Sequence, residues 1–114
     1  MESILTSIKK LLGIEEDYEH FDADIIMHIN SVINALTQMG IGSDEGFSIE
    51  DKMKTWEDFL GKGAVNMNAV KTYVYLKVRL LFDPPSSSAA VESINRLASE
   101  MEWRLNVTAE TPKE

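Results

Sequence analysis

The sequence predicts an all-α fold: a small bundle of about four helices, a short one-turn helix and an irregular loop at residues 40–55. Apolar residues recur at three- and four-residue intervals in four segments of the 114-residue chain, which is the spacing of one helix face. Glycine or proline follows the first three of these segments, where a helix has to end. Because the length corresponds to one domain, we expect a helical domain at residues 1–107 and a flexible tail at residues 108–114.

The first two helices carry start and stop signals. Ser3 is placed to cap the first helix and Gly13 to end it. The second helix is predicted to begin with Asp22 as its N-cap and to end at Gly40. The predicted buried face of this second helix consists of Ile25, Ile29, Val32, Ile33 and Leu36, with Met39 as a candidate at its end.

The stretch between the second helix and the next is the least regular. Its glycines and polar residues are typical of turns, and Phe47 to Ile49 is predicted to be a short extended piece. Thr55 and Asp58 resemble a capping box that starts a one-turn helix, which Gly61 ends.

The last two helices differ in polarity. The segment 68–82 is apolar nearly all round, which indicates the central, buried helix, and Pro84 ends it. Serines at 86–88 offer caps for the last helix. Its predicted apolar stripe consists of Val91, Ile94, Leu97, Ala98, Met101 and Leu105.

Charge and composition exclude several classes of function. The chain has 19 acidic and 11 basic side chains, a net charge of −8, and the imbalance lies in residues 1–60, which carry −9 against +1 in residues 61–114. A nucleic-acid binder normally has the opposite sign, and anionic membranes disfavour an acidic surface. The chain has no cysteine, no apolar run long enough to span a bilayer and no signal-peptide pattern. We therefore expect a soluble, intracellular protein.

One cluster has the residue types of a zinc or manganese site: His20, Asp22, Asp24 and His28. The alternative is structural, since carboxylates in a first helical turn satisfy free amides and the helix dipole. No segment has the pattern of a serine triad, a phosphate-binding loop or a calcium loop. We therefore predict no catalytic residue, no metal site and no cofactor, and a metal-dependent enzyme using those four residues is the alternative.

A candidate partner interface is formed by aromatic and charged side chains of the short helix and the last helix. Aromatic residues of the short helix either pack in the core or anchor a protein contact. Trp103 lies off the apolar stripe of the last helix, and two Glu–Arg pairs at i,i+4 mark a solvated or subunit-facing side. The predicted interface residues are Trp56, Phe59, Glu92, Arg96, Glu100, Trp103 and Arg104.

Several segments together resemble the small head-tail connector (adaptor) proteins of tailed phages and prophages. They are ILTSIKKLLGI, FDADIIMHINSVINALTQMG, GFSIED with TWEDFL, and VKTYVYLKVRLLFDPPSSSAAVESINRLASEMEWRLNV. The resemblance covers residues 3–107. Its most specific signals are the FDADII helix start, the Thr-Trp turn and the helix break at Phe-Asp-Pro-Pro, none of which is a catalytic motif.

The resemblance implies a structural virion protein that forms a homo-oligomeric ring, with a dodecamer expected from the family. Such a ring docks on the phage portal protein, extends the DNA channel and offers an attachment surface to neck and tail completion proteins. The subunits would assemble in the host cytoplasm and remain in the virion neck, at the head-tail junction. An acidic lining would repel DNA phosphates, so DNA would pass without sequence-specific binding. The alternative function is an acidic helical regulatory or inhibitor module that mimics DNA.

Overall fold

The structure, a computed structural model, describes residues 2–42, 46–64 and 66–110. The helices of the described residues are α1 (Ile4–Leu12), α2 (Asp22–Gln38), α3 (Trp56–Leu60), α4 (Met67–Phe82) and α5 (Ser88–Glu110). Extended backbone pairs at an isolated antiparallel bridge between Ser3 and Thr55. The predicted all-α class, with four longer helices and a one-turn helix, is confirmed.

The predicted ends of α1 and α3 are confirmed by their hydrogen bonds. The Ser3 hydroxyl accepts from the backbone amide of Thr6 at 3.2 Å, and Gly13 ends α1 in the left-handed conformation with φ of 83°. At α3, the Thr55 hydroxyl accepts from the Asp58 amide, while the Asp58 carboxylate accepts from the Thr55 amide at 2.8 Å. Both helices are therefore started by side chains that satisfy free amides.

The prediction that Asp22 is the N-cap of α2 was wrong. Phe21 occupies the cap position without a side-chain hydrogen bond, and Asp22 is the first helical residue. The Asp22 carboxylate instead lies 2.8 Å from the ammonium nitrogen of Lys9 on α1. Asp22 therefore forms an ion pair with another helix instead of capping its own. The predicted buried face of α2 is confirmed: its five main residues are buried, and Met39 beyond its end is partly buried against the core.

Helix α4 is the centre of the bundle, as predicted, and packs against α1, α2, α3 and α5. Its buried residues are Val70, Tyr73, Val74, Leu76 and Val78. Burial does not extend to the end of the helix, because Leu81 in the last turn is 53% exposed. The apolar residues all round this segment therefore predicted more burial than the helix has at its end.

The stretch 40–55 is irregular in its described parts, as predicted, and residues 43–45 lie outside the described residues. The side-chain amide of Asn30 on α2 holds this stretch by donating to the Ile49 carbonyl at 2.9 Å and accepting from the Ile49 amide at 2.8 Å. These two bonds hold Ile49 in place with its side chain buried, and residues 47–49 are not in a strand. Gly42 has φ of 100° and lies so close to the Phe59 ring that a Cβ atom would clash.

Helix α5 packs on α4 along one side and is capped by Ser87, whose hydroxyl accepts from the Ala90 amide at 3.1 Å. Of its predicted stripe, Ala98 and Leu105 are buried, whereas Leu97 is 46% exposed and was wrongly assigned to the buried side. Val91, Ile94 and Met101 are partly buried. The helix runs to Glu110, three residues past the predicted domain end, and residues 111–114 lie outside the described residues.

Candidate partner interface

The side of α5 that points away from the bundle carries most of the predicted interface. At about 3.6 residues per turn, this side lies opposite the buried Ala98 and Leu105. We call it the outer face of α5. It comprises the exposed residues Ala89, Glu92, Ser93, Arg96, Glu100, Trp103, Arg104 and Val107. Five of the seven predicted interface residues therefore lie together on one helix face.

Trp103 is the most unusual residue of the outer face, because its large apolar side chain is 68% exposed. Val107, one turn further along, is 42% exposed. Water contact with the apolar ring of an exposed tryptophan is unfavourable, and burial of the ring against a partner would remove that cost. Val107 was missed by the sequence interpretation, although its i,i+4 spacing from Trp103 places both residues on the same face.

The two predicted Glu–Arg pairs have different outcomes. Arg104 and Glu100 form an ion pair at 2.7 Å, with both side chains more than half exposed. The pair of Glu92 with Arg96 is not among the ion pairs of the described residues. Exposed pairs contribute little to stability, so the charges of the outer face remain accessible to a partner.

Trp56 and Phe59 are core residues, which was the alternative left open by the sequence. They are 1% and 0% exposed, respectively. The Trp56 indole donates to the Ser7 hydroxyl of α1 at 2.8 Å, and the Phe59 ring packs on Phe47 with centroids 5.1 Å apart. Because neither side chain reaches the surface of the folded chain, neither is available to a partner of the folded protein.

A polar contact that the sequence interpretation missed joins α5 to α4, beside the apolar packing of the two helices. The Tyr73 hydroxyl on α4 donates to the Glu102 carboxylate on α5 at 2.7 Å. Burial raises the pKa of the Tyr73 phenol well above its ordinary value, and the hydrogen bond to Glu102 adds to this effect. No spacing rule in the sequence connects residues on two different helices.

Because the folded state holds the Tyr73 proton more tightly than the unfolded state, the contact stabilises the fold below the unfolded pKa of about 10. We expect Tyr73→Phe to lower the free energy of unfolding by about 1 kcal/mol near pH 8. The difference between wild type and variant should shrink as the pH rises above about 10, where the unfolded tyrosine ionises. Urea denaturation of both proteins from pH 7 to 11 measures this, and a difference independent of pH would contradict it.

A buried lysine anchors the acidic segment, which we define as residues 15–19. Lys9 is 2% exposed, and its ammonium donates to the carbonyls of Glu16 at 3.0 Å and Tyr18 at 2.7 Å. Its third contact is the Asp22 carboxylate, whose Oδ1 atom lies 2.8 Å from the Lys9 ammonium nitrogen and forms an ion pair with it. This oxygen is buried and has no hydrogen bond from the described residues. The anchor fixes the backbone of the segment, while its four carboxylate side chains are exposed. Lys9 follows Leu5 by one helical turn, a spacing that could have indicated its burial.

The candidate metal residues are not assembled into a site. Asp22 pairs with Lys9, and the His20 ring packs on Phe21 with centroids 4.8 Å apart. The His28 ring lies 6.4 Å from that of Phe82. Among the described residues, no group of three or more His, Cys, Asp or Glu side chains could hold a metal ion. The helices in the described parts of the chain are also too short or too polar to cross a membrane.

The geometry defines a class of protein: a small all-helical domain whose last helix exposes a tryptophan among charged residues. The family model described as phage connector protein matches residues 4–112, nearly the whole chain. The chain therefore belongs to the phage connector protein family, which confirms the resemblance and supports a structural connector role in a bacteriophage. Comparisons with curated proteins and with solved structures returned no match.

Proposed function

We propose that this connector protein forms a homo-oligomeric ring that docks on the phage portal, extends the DNA channel and presents an attachment surface to neck and tail completion proteins. The observation that carries the proposal, together with the family match, is the outer face of α5. On this face an exposed tryptophan lies among charges of both signs. Assembly would occur in the host cytoplasm, and the finished ring would remain in the virion neck.

The outer face of α5 has the chemistry of a subunit or portal contact. Tryptophan and arginine are enriched among residues that dominate binding energy. Tryptophan buries a large, rigid area at little entropic cost, and arginine adds a planar guanidinium with several donors. The surrounding carboxylates and guanidinium groups would set orientation and register more than affinity. A ring requires head-to-tail contacts that close, and a rigid helix side meets that need. The dodecamer suggested by the family resemblance is part of this proposal.

We propose that the acidic segment borders the DNA channel. Its exposed residues are Glu15, Glu16, Asp17 and Glu19. Because Lys9 holds their backbone, these charges keep fixed positions and would repeat around a ring. A ring of negative charge repels DNA phosphates, so the genome would slide past without adhering and without sequence-specific recognition. The negative net charge of residues 1–60 extends the same effect.

Binding to the portal protein of the same genome tests the role of the α5 outer face. We expect Trp103→Ala to weaken binding about 30-fold, which corresponds to the roughly 2 kcal/mol lost when a dominant interface residue is truncated. Met53→Ala is the matched control, because Met53 is an exposed apolar residue, at 73%, that lies outside α5. Sedimentation velocity of portal with each variant measures the affinity. Equal binding by both variants would contradict a contact through the outer face.

The second candidate is an acidic inhibitor that mimics DNA, which is favoured by the four exposed carboxylates of the acidic segment. Such a protein would bind a basic nucleic-acid-binding partner with a steep dependence on salt. It would not bind the portal. The same sedimentation experiment therefore separates the two functions, because a connector binds portal and a mimic binds the basic partner.

A further inference from the structure

We infer that two copies of this chain pair through the outer faces of their α5 helices, antiparallel, about a two-fold axis midway between Arg96 and Glu100. The observation is the order of charges along the exposed face: Glu92, Arg96, Glu100 and Arg104, one helical turn apart. A two-fold contact needs a surface that complements itself. This face meets that requirement in charge and in shape.

The charges complement each other at every position of the proposed contact. With the axis between Arg96 and Glu100, Arg96 of one copy faces Glu100 of the second copy. Glu92 of one copy likewise faces Arg104 of the second copy. The two-fold axis repeats both contacts, so four pairs of opposite charge form along the seam. In the single chain, Arg104 already pairs with Glu100, and the second copy would extend this pair into a network.

The side-chain sizes complement each other about the same axis. Trp103 would face Ser93 of the second copy, and Val107 would face Ala89 of the second copy. All four residues are exposed in the single chain. A large residue opposite a small one allows two helices to approach to the usual 8–10 Å between axes. On the helix circumference, the eight residues of the outer face are arranged symmetrically about a line opposite the buried Ala98.

Three other arrangements bring like charges together. In a parallel arrangement in register, each glutamate and arginine faces its own copy. Sliding the antiparallel pair by one turn in one direction places Arg96 opposite Arg104 and Glu100 opposite Glu100. Sliding it in the other direction places Glu92 opposite Glu100 and Arg96 opposite Arg96. Since like charges in contact repel, the charge order disfavours these three arrangements. A parallel pair staggered by one turn also brings opposite charges together, but it is a head-to-tail contact that does not close into a two-fold dimer.

The contact is expected to be weak and sensitive to salt. One helix face is small compared with the roughly 1,200 Å² at the lower end of stable interfaces, and exposed ion pairs are screened by salt. A closed ring uses head-to-tail contacts, so the dimer and a ring seam on the same face would exclude each other. If the proposed function holds, free subunits would keep this face covered by dimerisation until the portal competes for it, and this consequence rests on the proposed function. The dimer itself does not.

Charge variants test the pairing without the portal. The acidic variant is Arg96→Glu with Arg104→Glu, and the basic variant is Glu92→Lys with Glu100→Lys. We expect each variant alone to dimerise at least tenfold more weakly than wild type, because like charges face each other. An equimolar mixture should recover wild-type affinity, because every pair across the seam is again of opposite charge. Sedimentation equilibrium over a concentration series at low salt measures all four samples. The change in tryptophan fluorescence on dimerisation reports burial of Trp103, since Trp56 is already buried in the single chain.

A second pair of variants guards against loss of folding. Arg96→Glu and Glu100→Lys are single changes at exposed positions, and mixing them restores all four cross-seam pairs. Circular dichroism checks that each variant remains helical. A wild-type chain that stays monomeric, or mixtures that remain as weakly associated as the separate variants, would overturn the inference. If the wild-type chain binds the portal but fails these dimer tests, the proposed function stands and the dimer inference does not. If the chain forms a charge-dependent dimer but does not bind the portal, the dimer inference stands and the proposed function does not.

Discussion

Replacing Trp56 by alanine is expected to lower the free energy of unfolding by about 3–5 kcal/mol, the range found when a large buried aromatic residue is truncated. Trp56 is 1% exposed and joins α3 to α1 through its hydrogen bond to Ser7. Trp103→Ala, at a position that is 68% exposed, should change the same quantity by less than about 0.5 kcal/mol. Urea denaturation of the two variants measures this contrast.

Trp56→Phe separates the packing of Trp56 from its hydrogen bond. The phenyl ring retains most of the buried apolar volume, but it cannot donate to the Ser7 hydroxyl. We expect an intermediate cost of about 1–3 kcal/mol, the range for a lost buried hydrogen bond. Equal destabilisation by Trp56→Ala and Trp103→Ala would contradict the division of the two tryptophans into a core residue and a surface residue.

Replacing Lys9 by methionine is expected to lower the free energy of unfolding by about 3 kcal/mol. Methionine preserves the length of the side chain but leaves two carbonyls and the Asp22 carboxylate without their cation. Breaking a buried ion pair costs about 3–5 kcal/mol, and we expect the lower end because the Asp22 side chain is 24% exposed. Lys10→Met is the matched control on the same helix, since Lys10 is exposed.

Two further measurements test the role of Lys9. The double variant Lys9→Met with Asp22→Asn should cost less than the sum of its single variants, because the two groups form one ion pair. Amide hydrogen exchange at residues 15–19 should accelerate in Lys9→Met and stay unchanged in Lys10→Met. Similar stability and exchange in the two lysine variants would rule out an anchoring role for Lys9.

The parts of the fold that depend on local chemistry were predictable from the sequence. Ser3 and Gly13 bound α1, and the Thr55–Asp58 capping box starts α3, because the interacting atoms lie within one helical turn. The N-cap of α2 was not predictable in this way. Asp22 has a partner 13 residues away, and a buried lysine offers a stronger contact than a backbone amide.

The candidate interface was predictable only where the helix was long enough to define a face. In α5 the apolar spacing placed Trp103 off the stripe, and the structure exposes it. In α3, five residues are too few to distinguish a buried side from an exposed one, so Trp56 and Phe59 remained ambiguous. Leu97 was misassigned because it lies at the edge of the stripe, where contact with α4 decides burial.

The arrangement of charges on α5 illustrates a different limit. The four alternating residues are visible in the sequence, and their i,i+4 spacing first indicated pairs within one helix. The complementarity between two copies depends on which side of the helix is covered, and the structure narrows the predicted stripe to the buried Ala98 and Leu105 while exposing Leu97. Knowledge of the covered side turns a local charge pattern into the proposed contact between two copies.

Electron microscopy of this protein mixed with the portal of the same genome tests the connector assignment most directly. We expect an additional ring-shaped layer on the outer face of the portal, with the outer face of α5 at a subunit or portal contact and residues 15–19 beside the channel. The number of subunits in that layer would compare directly with the expected dodecamer. Portal particles without added density, under conditions in which both proteins are folded, would contradict the proposed docking and favour the acidic inhibitor.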